Sequence, residues 1–453
     1  MYQNDWKQAH CVVSTSNIDL FGQFAMGKEN MESSEVHWDC HKLFMGLDWA
    51  RDHHDIVVLD RGGTVVLDVQ IEHASEGWHQ LRESLARLAG ANLSVVAATI
   101  ETNCGPAVER LLEMGCRVYP LNPKAAQRYR DRKAPSGGKT DHLDALSFAD
   151  ALRTDGHGWR RLEPEDPKIL ELRLVCRDEI GLIGQRTALI NQLQQALYDY
   201  YPAALEAFDD WTRPSAWAFV ERFATPEALK KSGKRNWEKF LHSHRLYRPQ
   251  TYSKRLDIFT NATEFCASQA VINAKSMLAV SLAKQLRLLE EQLKLYRDRI
   301  EQLFKGHPDH DLFGSLPGVG EKLGPRLLSE CGDNRSRFED FQSLQCYAGT
   351  APVSYQSGQM HRVKFRRACN KNLRTAVHMW ADLSRMRCCW AQVYYDQKRQ
   401  EGKSHACALR CLGQRWLKIL WKMWTTGKPY NEQLHIRNQT EHGSWVLALM
   451  PPK

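Results

Sequence analysis

Three β-rich runs in close succession constrain this chain more than any other feature. "LFMGLDWA" begins at residue 43, "HDIVVLD" at 54 and, after the turn "RGG", "TVVLDVQIEH" at 64. Two such runs across a glycine turn read as a hairpin, and the three together as an antiparallel meander. "SEGWHQLRESLARLA" then opens on a serine cap and carries Trp78, Leu81, Leu85 and Leu88 at helical spacing. "LSVVAATIE" reads as a continuous buried strand, "GPAVERLLEMG" as a helix closed by Gly115, and "CRVYPLN" as a further strand. With a helix beginning near Thr140, the order β-β-β-α-β-α-β-α predicts an α/β domain: a mixed sheet with helices on its faces.

The next region, about 166 to 307, reads as helical. Ile183, Ile190 and Leu197 lie seven apart beside Leu182, Leu189 and Ala196. Leu278, Leu282, Leu286, Leu289, Leu293, Tyr296, Ile300 and Leu303 follow in steps of 4, 4, 3, 4, 3, 4 and 3. That is an a/d seam, which predicts a coiled coil. The two segments pair either with each other, as an antiparallel hairpin, or across subunits. Residues 205 to 265 between them are rich in Trp, Arg and Lys and lack clear periodicity. From 308, "LFGSLPGVGEKLGPRLLSECGD" sets Pro317-Gly318-Val319-Gly320 between two helical patterns, as in a helix-hairpin-helix. Backbone N–H groups of such a turn can face a DNA phosphate, with a plain tight turn as the alternative. "QRWLKILWKMWTTG", with Trp416, Leu417, Leu420, Trp421 and Trp424, reads as packing core rather than a base-stacking platform.

The predicted boundaries are an N-terminal extension at 1–40, an α/β domain at 41–156, a helical region with an insertion at 157–307, a mainly α-helical domain at 308–436 and a tail at 437–453. No apolar run reaches the roughly 18 residues of a membrane span, and no signal peptide is visible. The thirteen cysteines are scattered, without a CxxC pair, which fits reduced thiols and a cytoplasmic setting.

Charge points to a polyanionic partner. Lys plus Arg number 62 against 53 Asp plus Glu, for a net charge of +9. The excess is localised. No acidic residue occurs between Phe341 and Ala381, yet Arg362, Lys364, Arg366, Arg367, Lys371 and Arg374 all fall there. A second basic stretch, "PKAAQRYRDRK", contributes Lys124, Arg128, Arg130, Arg132 and Lys133 as candidate RNA or DNA contacts. Its Tyr129 reads as packing on the helix, with stacking on an unpaired base as the alternative.

Within this basic chain, "KTDHLDA" places Asp141 and Asp144 three apart on one helical face, where two carboxylates repel unless compensated. Alone they would be ordinary first-turn residues favoured by the helix dipole. Asp48 at the exit of the first strand and Glu101 at the exit of the fourth change that reading, because strand ends of an α/β layer are where sites are built. Four acids offer oxygen ligands for one or two Mg²⁺ ions, and a metal pair about 4 Å apart can clamp both oxygens of a phosphodiester exchange. Asp55, Asp60 and Asp68 read as surface carboxylates on turns.

The order of elements with these four acids resembles the ribonuclease-H-like fold of RuvC-type resolvases. More specifically, "GLDWA", "IETNCGP", "YPLNPKAAQRYR" and "KTDHLDA" resemble the DEDD transposases of bacterial insertion sequences, the bridge-RNA-guided recombinases. Their C-terminal transposase domain opens with an "LPGVG"-like hairpin and contains "YAGTAP…SG", here "YAGTAPVSYQSGQM" at 347 to 360. The likeness covers about 43 to 155 and 310 to 430. It implies Mg²⁺ on Asp48, Glu101, Asp141 and Asp144, with Ser357 as nucleophile through a covalent phosphoserine intermediate and Ser354 as the local competitor. It further implies a structured guide RNA, donor and target DNA, and a dimer or tetramer with composite active sites. Two rivals stand beside it: a RuvC-type endonuclease in which the acids activate water, and a non-enzymatic basic coiled-coil protein that binds nucleic acid.

Overall fold

The computed structural model describes residues 38–134, 137–266 and 268–450. The chain divides between Pro164 and Glu165 into two compact units. The predicted extension therefore lies outside the described residues up to position 37, and its last three do not extend away. Trp38–Cys40 form a short 3-10 turn, and the Trp38 ring packs 5.6 Å from Phe44 and 5.4 Å from Tyr119.

In the first unit, strands β1 (Leu43–Trp49), β2 (His53–Asp60), β3 (Val65–Glu72), β4 (Val96–Ile100) and β5 (Arg117–Pro120) form one sheet in the order β3-β2-β1-β4-β5. β1, β2 and β3 pair antiparallel, whereas β4 runs parallel to β1, and β5 to β4. This is the predicted mixed sheet, and its topology is consistent with an RNase H-like domain. Helices α1 (Ser75–Ala89) and α2 (Pro106–Glu113) pack on one face, against Met45, Leu47, Ile56 and Val58. Ser75 is the first residue of α1 rather than its cap; Ala74 holds the cap position without a side-chain bond.

The other face carries α3 (Pro123–Lys133) and α4 (Asp141–Asp155). The basic stretch "PKAAQRYRDRK" is α3, begun by a proline at its first position and by Asn122, whose side chain accepts from the Lys124 N–H. α4 is capped by Thr140, which accepts from the Leu143 N–H at 3.1 Å. It buries Ala145, Phe148, Ala149 and Leu152. Full burial of Phe148 alone is worth about 2–3 kcal/mol. After α4 the unit continues to Pro164: the Leu162 N–H donates to the Val118 carbonyl of β5 at 2.8 Å.

In the second unit the heptad segments become α5 (Pro167–Tyr200) and α11 (Gln269–Lys305), joined by α6 to α10 (Pro202–Ala207, Pro214–Arg222, Pro226–Ser232, Lys234–Ser243 and Pro249–Asn261). Ion pairs Arg299–Glu171, Arg186–Glu290 and Lys275–Asp199 run in opposite sequence directions. The two long helices thus pair antiparallel within one chain. Leu282, Leu286, Leu289, Leu293 and Ile300 of the predicted seam are buried, but Leu278 is exposed and Ala279 takes its place inside. The aperiodic stretch packs onto the two long helices in one shared core, where Trp217, Phe219, Phe223, Phe240 and Phe259 are fully buried beside Leu193, Leu197, Leu282 and Leu286.

The remaining chain comprises α12 (His310–Gly314), α13 (Gly320–Cys331), α14 (Phe341–Tyr347), the hairpin β6–β7 (Val353–Ser357 and Met360–Lys364), and α15 to α17 (Lys371–Arg385, Cys389–Gln400 and His405–Thr426). Trp416, Leu417, Leu420 and Trp424 are buried, so this helix is core, as expected. Two short helices follow, Glu432–Glu441 and Trp445–Ala448. They are not a loose tail: Val446 is buried and Trp445 stacks on Tyr394 at 5.5 Å. Among the described residues no helix is long and apolar enough to cross a membrane, and all twelve described cysteines are free.

Candidate active site

The first unit gathers carboxylates where β1 and β4 end. Leu47 of β1 pairs with Ile100 of β4, so the residues that follow, Asp48 and Glu101, leave adjacent parallel strands side by side. α4 brings Asp141 and Asp144 to the same end of the sheet, and its approach depends on Gly46. A β-carbon there would stand 2.0 Å from the Ala145 carbonyl oxygen and 2.5 Å from the Ala149 nitrogen. Only a residue without a side chain lets helix and strand close to this distance.

Burial and neighbouring charge together set the state of the first of these acids. Burial first, then the negative charges of Asp144, Asp141 and Glu101, push the Asp48 carboxyl up to about 7, with Lys139 opposing. Asp144, only 3% exposed, is neutralised by Arg130, whose Nη1 donates to both carboxylate oxygens at 2.8 and 2.9 Å. Lys133 is likewise engaged, 2.9 Å from Asp150, and the Tyr129 hydroxyl donates to Asp155 at 2.7 Å. Of the basic residues proposed from the sequence on α3, Lys124, Arg128 and Arg132 remain exposed on its surface.

Asp55 departs from its sequence reading. It lies within β2, directly opposite Asp48 in the ladder, and is half-buried rather than a turn residue. Asp68 also lies within a strand, β3, where it pairs with His142 at 2.9 Å. One ligand atom each from His53, Asp55 and Asp141 lie within 4.8 Å of one another, a convergent trio among the described residues that includes Asp141 of the four predicted acids but not Asp48, Glu101 or Asp144. Strand alternation carried the signal: Asp55, Val57 and Leu59 share one face of β2, and Val57 and Leu59 pack on α4. Behind the site, burial and the neighbouring His73 and His53 lower His54 to about 4, so its ring is neutral. The ring takes the Ala50 N–H at 3.3 Å and meets His73 at 2.8 Å, tying down the chain just past Asp48.

These donors fit a hard divalent cation. Two of the three convergent donors are carboxylate oxygens, the ligands such ions prefer, and Asp48, opposite Asp55 in the ladder, is raised by its burial and then by the neighbouring acids. Asp55 and Asp141 offer the convergent oxygens, Asp48 and Glu101 stand at the neighbouring strand ends, and the oxygens of Asp144 are shared with Arg130.

Ser357 belongs to the second unit. It is the last residue of β6, exposed, and is followed by Gly358 at φ 55°. Ser354 is also exposed, three residues earlier on the same strand. The cations of the acid-free segment surround the hairpin: Arg362 and Lys364 lie on β7, while Arg366, Arg367, Lys371 and Arg374 follow it. Arg366 Nε donates to the Ala351 carbonyl at 3.1 Å, and the Arg374 guanidinium lies over Phe365. In the glycine turn before α13, Gly318 (φ 78°) is needed for packing, because a β-carbon would stand 2.8 Å from the Ser384 nitrogen. Gly320 faces open space.

Comparisons with known proteins converge on one family. A model described as Transposase (DEDD_Tnp_IS110) matches residues 45–202, and one described as Transposase IS116/IS110/IS902 family matches 310–396. The chain is 32% identical over 414 residues to the Streptomyces coelicolor "Mini-circle putative transposase for IS117", covering 87% of this chain and 97% of that protein. It is 29% identical over 399 residues to the "Insertion element IS110 uncharacterized 43.6 kDa protein" of the same organism, covering 86% and 96%. A shorter likeness, 30% over 129 residues, is to the "Pilin gene-inverting protein" of Moraxella bovis, covering 27% of this chain and 39% of that one. With its acids at the ends of β1 and β4 and both family segments in order, the chain belongs to the IS110/IS116 family of insertion-element transposases.

Proposed function

We propose that this protein is an RNA-guided DNA transposase or recombinase that cuts and rejoins strands through Ser357. The observation that carries the reading is the placement of Asp48 and Glu101 side by side at the ends of β1 and β4 with α4 bringing Asp144 and Asp141 near, in a chain whose second segment presents a serine among cations. In the first step Ser357 Oγ bonds to phosphorus as the P–O3′ bond breaks. The electron pair leaves with O3′, which takes up a proton, while the Oγ proton passes to a basic group or to water. In the second step the 3′-OH of the exchanged strand attacks the phosphoserine, and Oγ leaves and regains its proton. The number of phosphodiester bonds is conserved, so no nucleotide hydrolysis is required.

Asp48, Glu101, Asp141 and Asp144, with Asp55 beside them, would hold one or two Mg²⁺ ions. Bound there, the ion supplies Lewis-acid polarisation of the phosphate. The serine and the acids belong to separate units of the chain, which suits a composite site assembled between subunits of a dimer or tetramer. Lys124, Arg128 and Arg132 on α3 and the cations around the hairpin are the surfaces proposed for guide RNA and for donor and target DNA.

Ser357→Ala tests the reading. It should abolish covalent protein–DNA adducts and strand joining while leaving nucleic-acid binding intact, and recombination at the wild-type rate would refute it. Strand cleavage that never leaves an adduct would instead support water attack by a RuvC-type endonuclease. Copurification of a discrete structured RNA tests guidance.

A further inference from the structure

The β6–β7 hairpin has a sidedness that the sequence alone does not reveal. Its ladder pairs Val353 with Lys364, Ser354 with Val363, Tyr355 with Arg362, Gln356 with His361 and Ser357 with Met360. Directly opposed residues of an antiparallel pair share a face, and faces alternate along each strand. One face therefore presents Tyr355, Ser357, Met360, Arg362 and Lys364. The other presents Ser354, Gln356, His361 and Val363. The serine and both cations of the ribbon fall on one side.

The two cations differ in how free they are. The Lys364 ammonium sits 4.7 Å from the centre of the Tyr355 ring. Among the described residues Arg362 has no hydrogen-bonded, ionic or ring partner, and no carboxylate occurs in the sequence from Phe341 to Ala381 to neutralise it. Arg362 is the diagonal neighbour of Ser357 across the ladder, a backbone separation of about 7–8 Å that an extended arginine side chain covers. A guanidinium presents a planar fork of N–H donors that matches two phosphate oxygens at once.

We infer that Arg362 is a further catalytic residue, binding the non-bridging oxygens of the phosphodiester that Ser357 attacks. This rests on Ser357 being the nucleophile. The charge that builds on those oxygens during attack is then met by a donor on the same ribbon, so alignment of nucleophile and phosphate follows strand register.

The test uses the full-length protein with its copurifying RNA and Mg²⁺. A random-sequence duplex pool is offered, adducts are trapped by denaturation, and the duplex enriched in wild-type adducts is resynthesised. With that duplex, Arg362→Ala should slow adduct formation by about 100-fold or more, the usual cost of losing one donor to a developing oxyanion. Its duplex affinity should change less than threefold, and His361→Ala on the opposite face should stay within threefold of wild type. Resynthesis with a methylphosphonate at the joined position removes the charged oxygen, and the penalty of Arg362→Ala should shrink there. If Ser357→Ala abolishes adducts while Arg362→Ala forms them at the wild-type rate, this inference falls and the nucleophile stands. Loss of affinity equal to the loss of rate also overturns it, since Arg362 would then be a general backbone contact. Adducts formed by Ser357→Ala would remove both readings.

Discussion

Gly46 of β1 and Ala145 of α4 approach so closely that a β-carbon on the first would stand 2.0 Å from the carbonyl oxygen of the second. Asp48 lies two residues beyond Gly46, and Asp144 one residue before Ala145. The contact therefore sets the depth at which a helix carrying two acids meets a strand carrying a third. No side-chain motion can relieve a methyl group placed there, because both colliding atoms are backbone.

Gly46→Ala should push α4 away from the sheet. The expected cost is about 1–3 kcal/mol or more, as for overpacking elsewhere in cores, seen as a lower urea midpoint. Strand cleavage should fall more steeply than stability, because the acids separate. A variant with unchanged midpoint and activity would show that α4 is not held at this contact.

Arg130→Met should be costly for a different reason. It leaves the Asp144 carboxylate, 3% exposed, without its guanidinium. Breaking a buried pair in this way typically costs about 3–5 kcal/mol. Arg128→Met, on an exposed position of the same helix, should stay within about 0.5 kcal/mol. Equal effects of the two substitutions would reduce Arg130 to a surface charge.

The Asp48 carboxyl makes a pH-dependent prediction. In the folded, metal-free protein it is raised from 3.8 to about 7. A raised acid contributes stability that is present below pH 3.8 and lost as pH climbs through about 7. Asp48→Asn should therefore melt at a temperature close to that of wild type in acid and a few degrees above it at pH 8. Mg²⁺ should raise the wild-type melting temperature at pH 8 and do less for the variant. A difference between the two proteins that does not vary with pH would contradict a raised Asp48 carboxyl.

The long helix pair offers a test of register. Leu286→Ala, fully buried on α11, should cost about 2–5 kcal/mol, whereas Leu278→Ala, 44% exposed, should cost little. Comparable losses at both positions would restore the uninterrupted heptad seam that the spacing predicts.

Much of the first unit was legible as sequence. Apolar runs, glycine turns and helical spacing are local signals, and they specify the order of strands and helices and place Asp48 and Glu101 at strand exits. The close pair Asp141 and Asp144 is likewise local. Partnership is not. Arg130 and Lys133 read as free cations in a basic run, yet tertiary packing of α3 on α4 gives them to Asp144 and Asp150. Asp55 read as a turn carboxylate until β1–β2 register set it opposite Asp48. The seam on α11 announced a partner without choosing one, and only the fold supplied α5 of the same chain. Likewise, the motif containing Ser357 marked the residue, but strand pairing decided that Arg362 shares its face. Periodicity and turn chemistry act over a few residues and are written along the chain. Register and charge pairing join groups far apart in it, and they exist only once the backbone has brought those groups together.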